Sequence, residues 1–560
     1  MLHRTKLNNK NMSAKTLLTI SVTLMLATLT GCSTMATDTP TTSATTIEAP
    51  LNAESKAWFN AGALKVAQNE AEVKKMIADA RQQAAHEQGQ AKNIILFIGD
   101  GMGVSTVTAA RILDGQNKGH SGEENLLSFE KMPYAGFIKT YNTNQQTPDS
   151  AGTATAMLTG VKTKAGVLGV TDRANRATCA GDKGEKNAKL VTALELASMA
   201  GKATGIVTTA RLTHATPAAA YAKTSERNWE SDDKLTDEAK RYGCKDIATQ
   251  FVESPYVDVA FGGGRRHFIA KTTTDLEGKS GKRLDKKDLT QVWQQSTGGI
   301  VVQNQAQFNA IPANSKKVLG LFNSSHMQYE ADRKNDKSGE PSLTQMTVKA
   351  IDLLSQDKDG YFMLVESGRI DHGHHAGSAY NALTDTVEFS KAVDAAMRKT
   401  SPQDTLIIVT ADHSHVLSLA GYPTRGNPIL GKVKGNDEHG EPKSDLDLAT
   451  DKKPYTTLSY ANGLGFHNLN SETDADAVYD EEAVSGRDNH DLTKVNTLAP
   501  GYHQEALVPL KSETHAAEDV SIYARGPGAS LVSSTSEQNE IFHIMNYAGN
   551  LINLAETHQR

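Results

Sequence analysis

The segment Ile370-Asp371-His372-Gly373-His374-His375 sets a carboxylate and an imidazole four residues apart, at Asp371 and His375. On one turn of helix these side chains face the same way. Together they form a zinc ligand set that leaves a coordination position open for substrate or water. Thr410-Ala411-Asp412-His413-Ser414-His415 offers a second pair, Asp412 and His413, and Glu513-Thr514-His515 adds His515. Asp100, in Gly99-Asp100-Gly101-Met102-Gly103, supplies a carboxylate able to bridge two cations. Two metal ions about 4 Å apart clamp the attacking and leaving oxygens of an in-line displacement. Solvated loops also accumulate His and Asp, but here both dense motifs are tied to the ends of strand-like runs.

A nucleophile for that chemistry stands in Thr147-Pro148-Asp149-Ser150-Ala151-Gly152-Thr153-Ala154-Thr155-Ala156. Asp149 or Ser150 can be no more than an N-cap of the small-residue helix that follows. Ser150 gains a further capability there, because a helix N-terminus offers backbone N–H groups and a positive field to a phosphate. A metal ion at its Oγ lowers the pKa of the hydroxyl and activates it for attack.

These groups need a frame. Asn93-Ile94-Ile95-Leu96-Phe97-Ile98 is a continuous apolar run, the pattern of a strand buried on both faces of a parallel sheet. Similar runs recur at 203–207, 256–261, 361–365 and 405–410, separated by helical stretches at 190–199, 343–354 and 379–397. That alternation predicts an α/β fold with a doubly wound, mostly parallel central sheet flanked by helices. Such sheets bind ligands beyond the carboxyl ends of their strands. Asp100, Glu366 and the pair Asp412-His413 each follow a run, so three placements converge.

At 560 residues the chain exceeds what one core usually serves. The alternation fades between 422 and 510, where Gly, Asn, Asp and Pro are frequent, which predicts an irregular inserted surface subdomain. The expected organisation is a signal peptide over 1–31, a flexible tether over 32–52, a core with an N-terminal amphipathic helix over 53–421, the insertion over 422–510, and a return to the core over 511–560. Net charge is −6 and the pI about 6.3, which leaves no nucleic-acid-binding footprint. Positive charge for a phosphate must therefore come locally, from metals or a buried arginine.

Arg4, Lys6, Lys10 and Lys15 precede an apolar stretch, Leu17 to Leu29, too short for a permanent membrane span. It ends in Leu29-Thr30-Gly31-Cys32, which resembles the lipobox of bacterial lipoproteins, where the cysteine carries the lipid. The expectation is export to the bacterial periplasm or outer membrane on a lipid anchor at Cys32; a plain cleaved signal peptide is the alternative. Of the three cysteines, Cys179 and Cys244 remain, as a disulfide closing a loop and contributing about 4 kcal/mol, or as two buried thiols.

The same motifs resemble those of the alkaline phosphatases, in order and over essentially the whole chain after Ala53. The resemblance rests on the Gly99–Gly103 and Asp149–Thr153 stretches, on Leu212-Thr213-His214-Ala215-Thr216-Pro217, on Glu366 to His375 and on Thr410 to His415. It implies metal-dependent hydrolysis of phosphate monoesters through a phosphoserine on Ser150, with two zinc ions and one magnesium ion per subunit of a homodimer. Asp371, His375 and His515 resemble the ligands of one zinc; Asp100, Asp412, His413 and Ser150 those of the other; and Asp100, Thr216 and Glu366 those of magnesium. Arg227, in Ser225-Glu226-Arg227-Asn228-Trp229, resembles the arginine that grips two phosphate oxygens. His214 and His372 resemble supporting residues of the animal-type branch, and Cys179 and Cys244 its disulfide. The chain departs at Phe322-Asn323, where animal enzymes have an acidic calcium ligand; a neutral Asn323 weakens such a site, and no calcium is assigned.

Two other readings compete. A diesterase or sulfatase of the same two-metal superfamily would use a threonine or a modified residue as nucleophile. A lipoprotein that stores zinc or captures phosphate would need the ligands but not Ser150.

Overall fold

The computed structural model describes Asn60, Leu64 and residues 89–487 and 490–558. The expected signal peptide, Cys32 and the tether lie outside the described residues, as does the N-terminal helix apart from Asn60 and Leu64, both helical and exposed. The described residues from 89 onward belong to one compact unit.

Its centre is a ten-stranded sheet. Strand β1 (Asn93–Gly99) lies in the middle, with every residue from Ile94 to Gly99 buried. The other numbered strands are β2 (Tyr134–Lys139), β3 (Ala203–Arg211), β4 (Val259–Gly263), β5 (Ile300–Val302), β6 (Val318–Leu321), β7 (Tyr361–Ser367) and β8 (Thr405–Ala411). The spatial order is Thr535–Glu537, β2, Val520–Arg525, β8, β1, β7, β3, β4, β6, β5. All neighbours run parallel except where Val520–Arg525 pairs antiparallel with β2 and β8. The mostly parallel sheet flanked by helices is thus as expected.

Chain order jumps from β7 on one side of β1 to β8 on the other. This is the reversal at which open α/β sheets form a crevice beyond their strand ends. Register brings the chemistry level: Ile98 of β1 sits opposite Glu366 of β7 and Thr410 of β8, and Thr208 of β3 opposite Glu366. Asp100, Glu366 and Asp412 therefore emerge at one edge.

Element boundaries shift for local reasons. The expected strand at 256 begins at Val259, because Pro255 cannot donate to a ladder and the Asp258 side chain takes the Thr204 N–H at 2.7 Å. The helix expected from 190 begins at Ala193, where Thr192 and Glu195 form a capping box. Strands β2, β5, β6 and Val520–Arg525 were not foreseen; β5 and β6 are only three and four residues long, and β2 is half-exposed.

Residues 422–510 contain little helix beyond short 3₁₀ turns such as Ala475–Asp480. Leu458–Gly463 joins Leu417–Leu419 and Ala506–Pro509 in a three-stranded sheet, and His467–Asn468 pairs with Tyr502–His503. Cys179 and Cys244 form a disulfide.

Candidate active site

Ser150 opens the helix Ser150–Thr159, whose N-cap is Asp149. Asp149 Oδ1 accepts from Gly152 N at 3.0 Å, and its Oδ2 accepts from Gly166 N at 2.9 Å and from Arg227 Nη1 at 3.0 Å. The capping role thus falls to Asp149, which frees the Ser150 hydroxyl. Ser150 is 2% exposed, and its Oγ donates to Asp100 Oδ1 at 3.5 Å and lies 3.1 Å from His413 Nε2. The other nitrogen of the Arg227 fork, Nη2, lies 3.3 Å from His214 Nε2.

Asp371 and His375 share the helix Arg369–His375, with His375 Nε2 3.3 Å from Asp371 Oδ1. Gly373 allows that helix to press on the helix Ala379–Lys399, since a Cβ there would stand 2.6 Å from Ala382 N. His515 arrives from far along the chain, because His515–Ala516 pairs antiparallel with Ser414–His415. Its Nε2 lies 3.2 Å from His375 Nε2 and 3.4 Å from Asp371 Oδ1, and its Nδ1 is turned to Pro148 O at 2.8 Å. The ligand atoms of Asp371, His375, His415 and His515 all lie within 4.8 Å of one another.

His415 stands in the motif but was given no role at the sequence level. Its Nε2 meets Asp371 Oδ1 at 2.8 Å and its Nδ1 meets Glu513 Oε2 at 2.5 Å. Burial opposes its charge, yet the two carboxylates outweigh burial and lift its pKa to about 10. With a carboxylate bonded at each ring nitrogen, His415 holds Asp371 in place from behind. Gly101, at φ +69°, makes room for that ring: a Cβ there would sit 2.4 Å from it. The sequence signal was the alternation Asp412, His413, His415, which recognises a strand end without telling ligand from support.

Around Asp100 the charges crowd. Asp412 Oδ1 accepts from Gly101 N at 3.0 Å and from His413 N at 2.9 Å; His413 Nε2 is 3.4 Å from Asp100 Oδ1 and 3.2 Å from Asp412 Oδ2. Ligand atoms of Asp100, Asp371 and His413 lie within 4.8 Å of one another, as do those of Asp100, His214 and Glu366. Burial, with repulsion from Asp412, Asp371 and Glu366, pushes the Asp100 carboxyl well above its ordinary range. Burial likewise raises Asp412, and lifts Glu366 to about 7 although Thr208 donates to it. Burial chiefly lowers His413 and His375 from the ordinary histidine value, which favours the neutral ring.

This arrangement fits cations. Asp100 Oδ2, Asp412 Oδ2, Glu366 Oε1 and Thr216 Oγ1 are buried without a hydrogen-bond partner. Unpaired buried oxygens are costly, and four of them on ligand-bearing residues form a donor set for hard or borderline metal ions. Thr216 stands on the short helix Ala215–Ala218.

His326 was also missed. Its ring centroid lies 4.0 Å from that of His372 and 5.1 Å from that of His214, and Arg211 donates to its Nε2. Burial drives His372 to about 3 and His214 well below its ordinary value, with Arg227 and Arg211 adding to the effect on His214. These rings form a neutral wall behind Glu366 and Arg227.

The alkaline phosphatase family model matches residues 91–551. The tissue-nonspecific alkaline phosphatase of Gallus gallus is 45% identical over 472 residues, covering 82% of this chain and 85% of that protein. The Homo sapiens isozyme is 43% identical over 469 residues, covering 82% and 83%. Among solved structures, the Thermus thermophilus alkaline phosphatase aligns with a TM-score of 0.57 at 24% identity, over 85% of this chain and 97% of that one. The enzyme from the Antarctic bacterium TAB5 aligns with a TM-score of 0.54 at 22% identity, over 82% and 99%; these likenesses speak for the fold. Sequence, site and fold converge: the chain belongs to the alkaline phosphatase family, metal-dependent phosphomonoesterases that work through a phosphoserine intermediate.

Proposed function

We propose that Ser150 is the residue phosphorylated in turnover and that Arg227 grips the substrate phosphate. The observation that carries this reading is the Ser150 hydroxyl, left free by the Asp149 cap and aimed between Asp100 and His413. Asp371, His375 and His515 would hold one zinc ion; Asp100, Asp412, His413 and Ser150 Oγ a second; Asp100, Thr216 and Glu366 a magnesium ion. Bound there, these ions would neutralise phosphoryl and leaving-group oxygens and make the serine hydroxyl more acidic.

The protein's own groups do the positioning. Ser150 Oγ forms a bond to phosphorus as the ester oxygen departs with a proton, giving phosphoserine and an alcohol. Water then displaces Ser150 Oγ and yields inorganic phosphate; two in-line displacements retain configuration at phosphorus. Asp149 holds one edge of the Arg227 guanidinium, so the fork meets the phosphate already oriented. Neutral His214 beside Nη2 adds no competing anion. His372 supports the same wall.

The remaining features extend the reading. We take 1–31 as a signal peptide, 32–52 as a tether from a lipid anchor at Cys32, 53–421 and 511–560 as the core, and 422–510 as a crown-like insertion. The Cys179–Cys244 disulfide is in keeping with export to an oxidising periplasm. Leu498, Leu507 and Val508, exposed on the insertion, offer apolar surface to the second subunit of a homodimer.

Hydrolysis of p-nitrophenyl phosphate at alkaline pH by protein lacking residues 1–32 tests the reading. Chelation should abolish activity and zinc with magnesium restore it, while bis-p-nitrophenyl phosphate and p-nitrophenyl sulfate should be poor substrates. Preferred turnover of the diester, or none by metal-loaded folded protein, would overturn it.

A further inference from the structure

Arg227 has few anchors of its own: Asp149 and His214 at the guanidinium, and Gly166 O, which accepts its backbone N–H at 2.9 Å. Its position is therefore set by the strap that carries it, residues 224–229. Thr224 and Leu168 exchange backbone bonds of 2.8 and 2.9 Å along one side of the strap. The other side meets the loop that contains Cys179.

Glu185, buried in that loop, accepts from both Ser225 N at 2.8 Å and Ser225 Oγ at 3.1 Å through one oxygen, Oε2. Thr178 O stands 2.9 Å from Ser225 Oγ, sharing its single hydroxyl hydrogen with Glu185, and accepts from Glu185 N at 3.2 Å. Ala177 N donates to Ser225 O at 2.9 Å, and Arg176 forks onto Glu226 at 2.8 and 3.1 Å. Cys179, next to Thr178, is tied to Cys244, and both pack with Trp229 at the far end of the strap. The strap is thus held at Ser225 by Glu185 and at Trp229 by the disulfide cluster, with Arg227 midway.

We propose that Glu185, seated in the loop that the Cys179–Cys244 disulfide closes, is the positioning residue for Arg227. It contacts no substrate; it fixes the strap from which the guanidinium reaches the phosphate. The inference rests on the reading of Arg227 as the phosphate-binding arginine. Since Arg227 would grip phosphate alike in substrate and product, loosening it weakens binding more than it slows chemistry.

The test uses the metal-loaded protein, with p-nitrophenyl phosphate as substrate and inorganic phosphate as competitive inhibitor. Glu185→Ala should raise KM and the phosphate Ki about tenfold or more, with kcat held or increased and zinc and magnesium content unchanged. Glu185→Gln keeps an acceptor for Ser225 and should restore most of the affinity. The Cys179→Ser/Cys244→Ser double variant should move in the same direction as Glu185→Ala; where it fails to fold, Glu185→Ala decides. A phosphate Ki unmoved by Glu185→Ala, or kcat and kcat/KM falling equally, overturns the proposal. Arg227→Ala run alongside separates the two readings: a Ki that responds to Arg227→Ala but not to Glu185→Ala sinks only the positioning role. A Ki that responds to neither sinks the role of Arg227 and this proposal with it.

Discussion

Glu513 Oε2 meets His415 Nδ1 at 2.5 Å, while Glu513 Oε1 takes the Val416 N–H at 2.8 Å. The same residue's backbone carbonyl faces His375 Nδ1 at 2.7 Å. Glu513 therefore steadies two groups at once: His375 directly, and Asp371 through His415.

His415→Ala should leave the three proposed zinc ligands in place but free Asp371 to turn. Zinc affinity should fall about 10- to 100-fold, the usual consequence of losing such a support. Zinc release into a chromophoric chelator measures this without reference to turnover. A release rate equal to that of the wild type would show that His415 is dispensable.

Neighbouring substitutions should separate chemistry from architecture. Ser150→Ala should lower turnover at least about 10³-fold with metal content and melting temperature nearly unchanged, because Asp149 carries the cap. Asp149→Ala should instead destabilise the fold by about 3 kcal/mol or more, losing the cap and leaving the largely buried Arg227 without its carboxylate. Denaturant titration and steady-state rates on both variants check the contrast.

Metal removal should make stability depend on pH. Burial first, and then neighbouring carboxylates, raise Asp100, Asp412 and Glu366 in the metal-free site. An acid with a raised folded pKa binds its proton more tightly when folded, so stability falls as pH climbs from the unfolded value to the folded one. For Glu366 that window runs from 4.5 to about 7. Melting temperatures of stripped and reloaded protein should therefore diverge as pH climbs from 4.5 to about 7. A constant gap across that range would contradict the carboxylate crowding.

Much of the site was legible because its signals are local. Asp371 and His375 needed only a helical turn, and Asp100 and Asp412 only the ends of apolar strands. The long buried runs of β1, β7 and β8 announced themselves, whereas β5 and β6 were too short to show a period. His326 and Glu513 carried no readable signal, since a buried support and a solvated side chain look alike in one sequence.

By itself, then, the sequence determined the candidate ligand types, their spacing within each motif and the sheet that would carry them, because helical and strand periodicities act over a few residues. Tertiary structure alone decided which motifs meet. His515 reaches His375 across 140 residues through a two-residue antiparallel pairing, and Arg227 reaches Asp149 across 78. It also decided what surrounds each histidine. His415 meets Glu513 and Asp371 at 2.5 and 2.8 Å, whereas His375 Nδ1 meets a backbone carbonyl at 2.7 Å and the same two carboxylates stand 3.6 and 3.3 Å from its ring. Such partners are set by packing between distant segments, which no local pattern encodes.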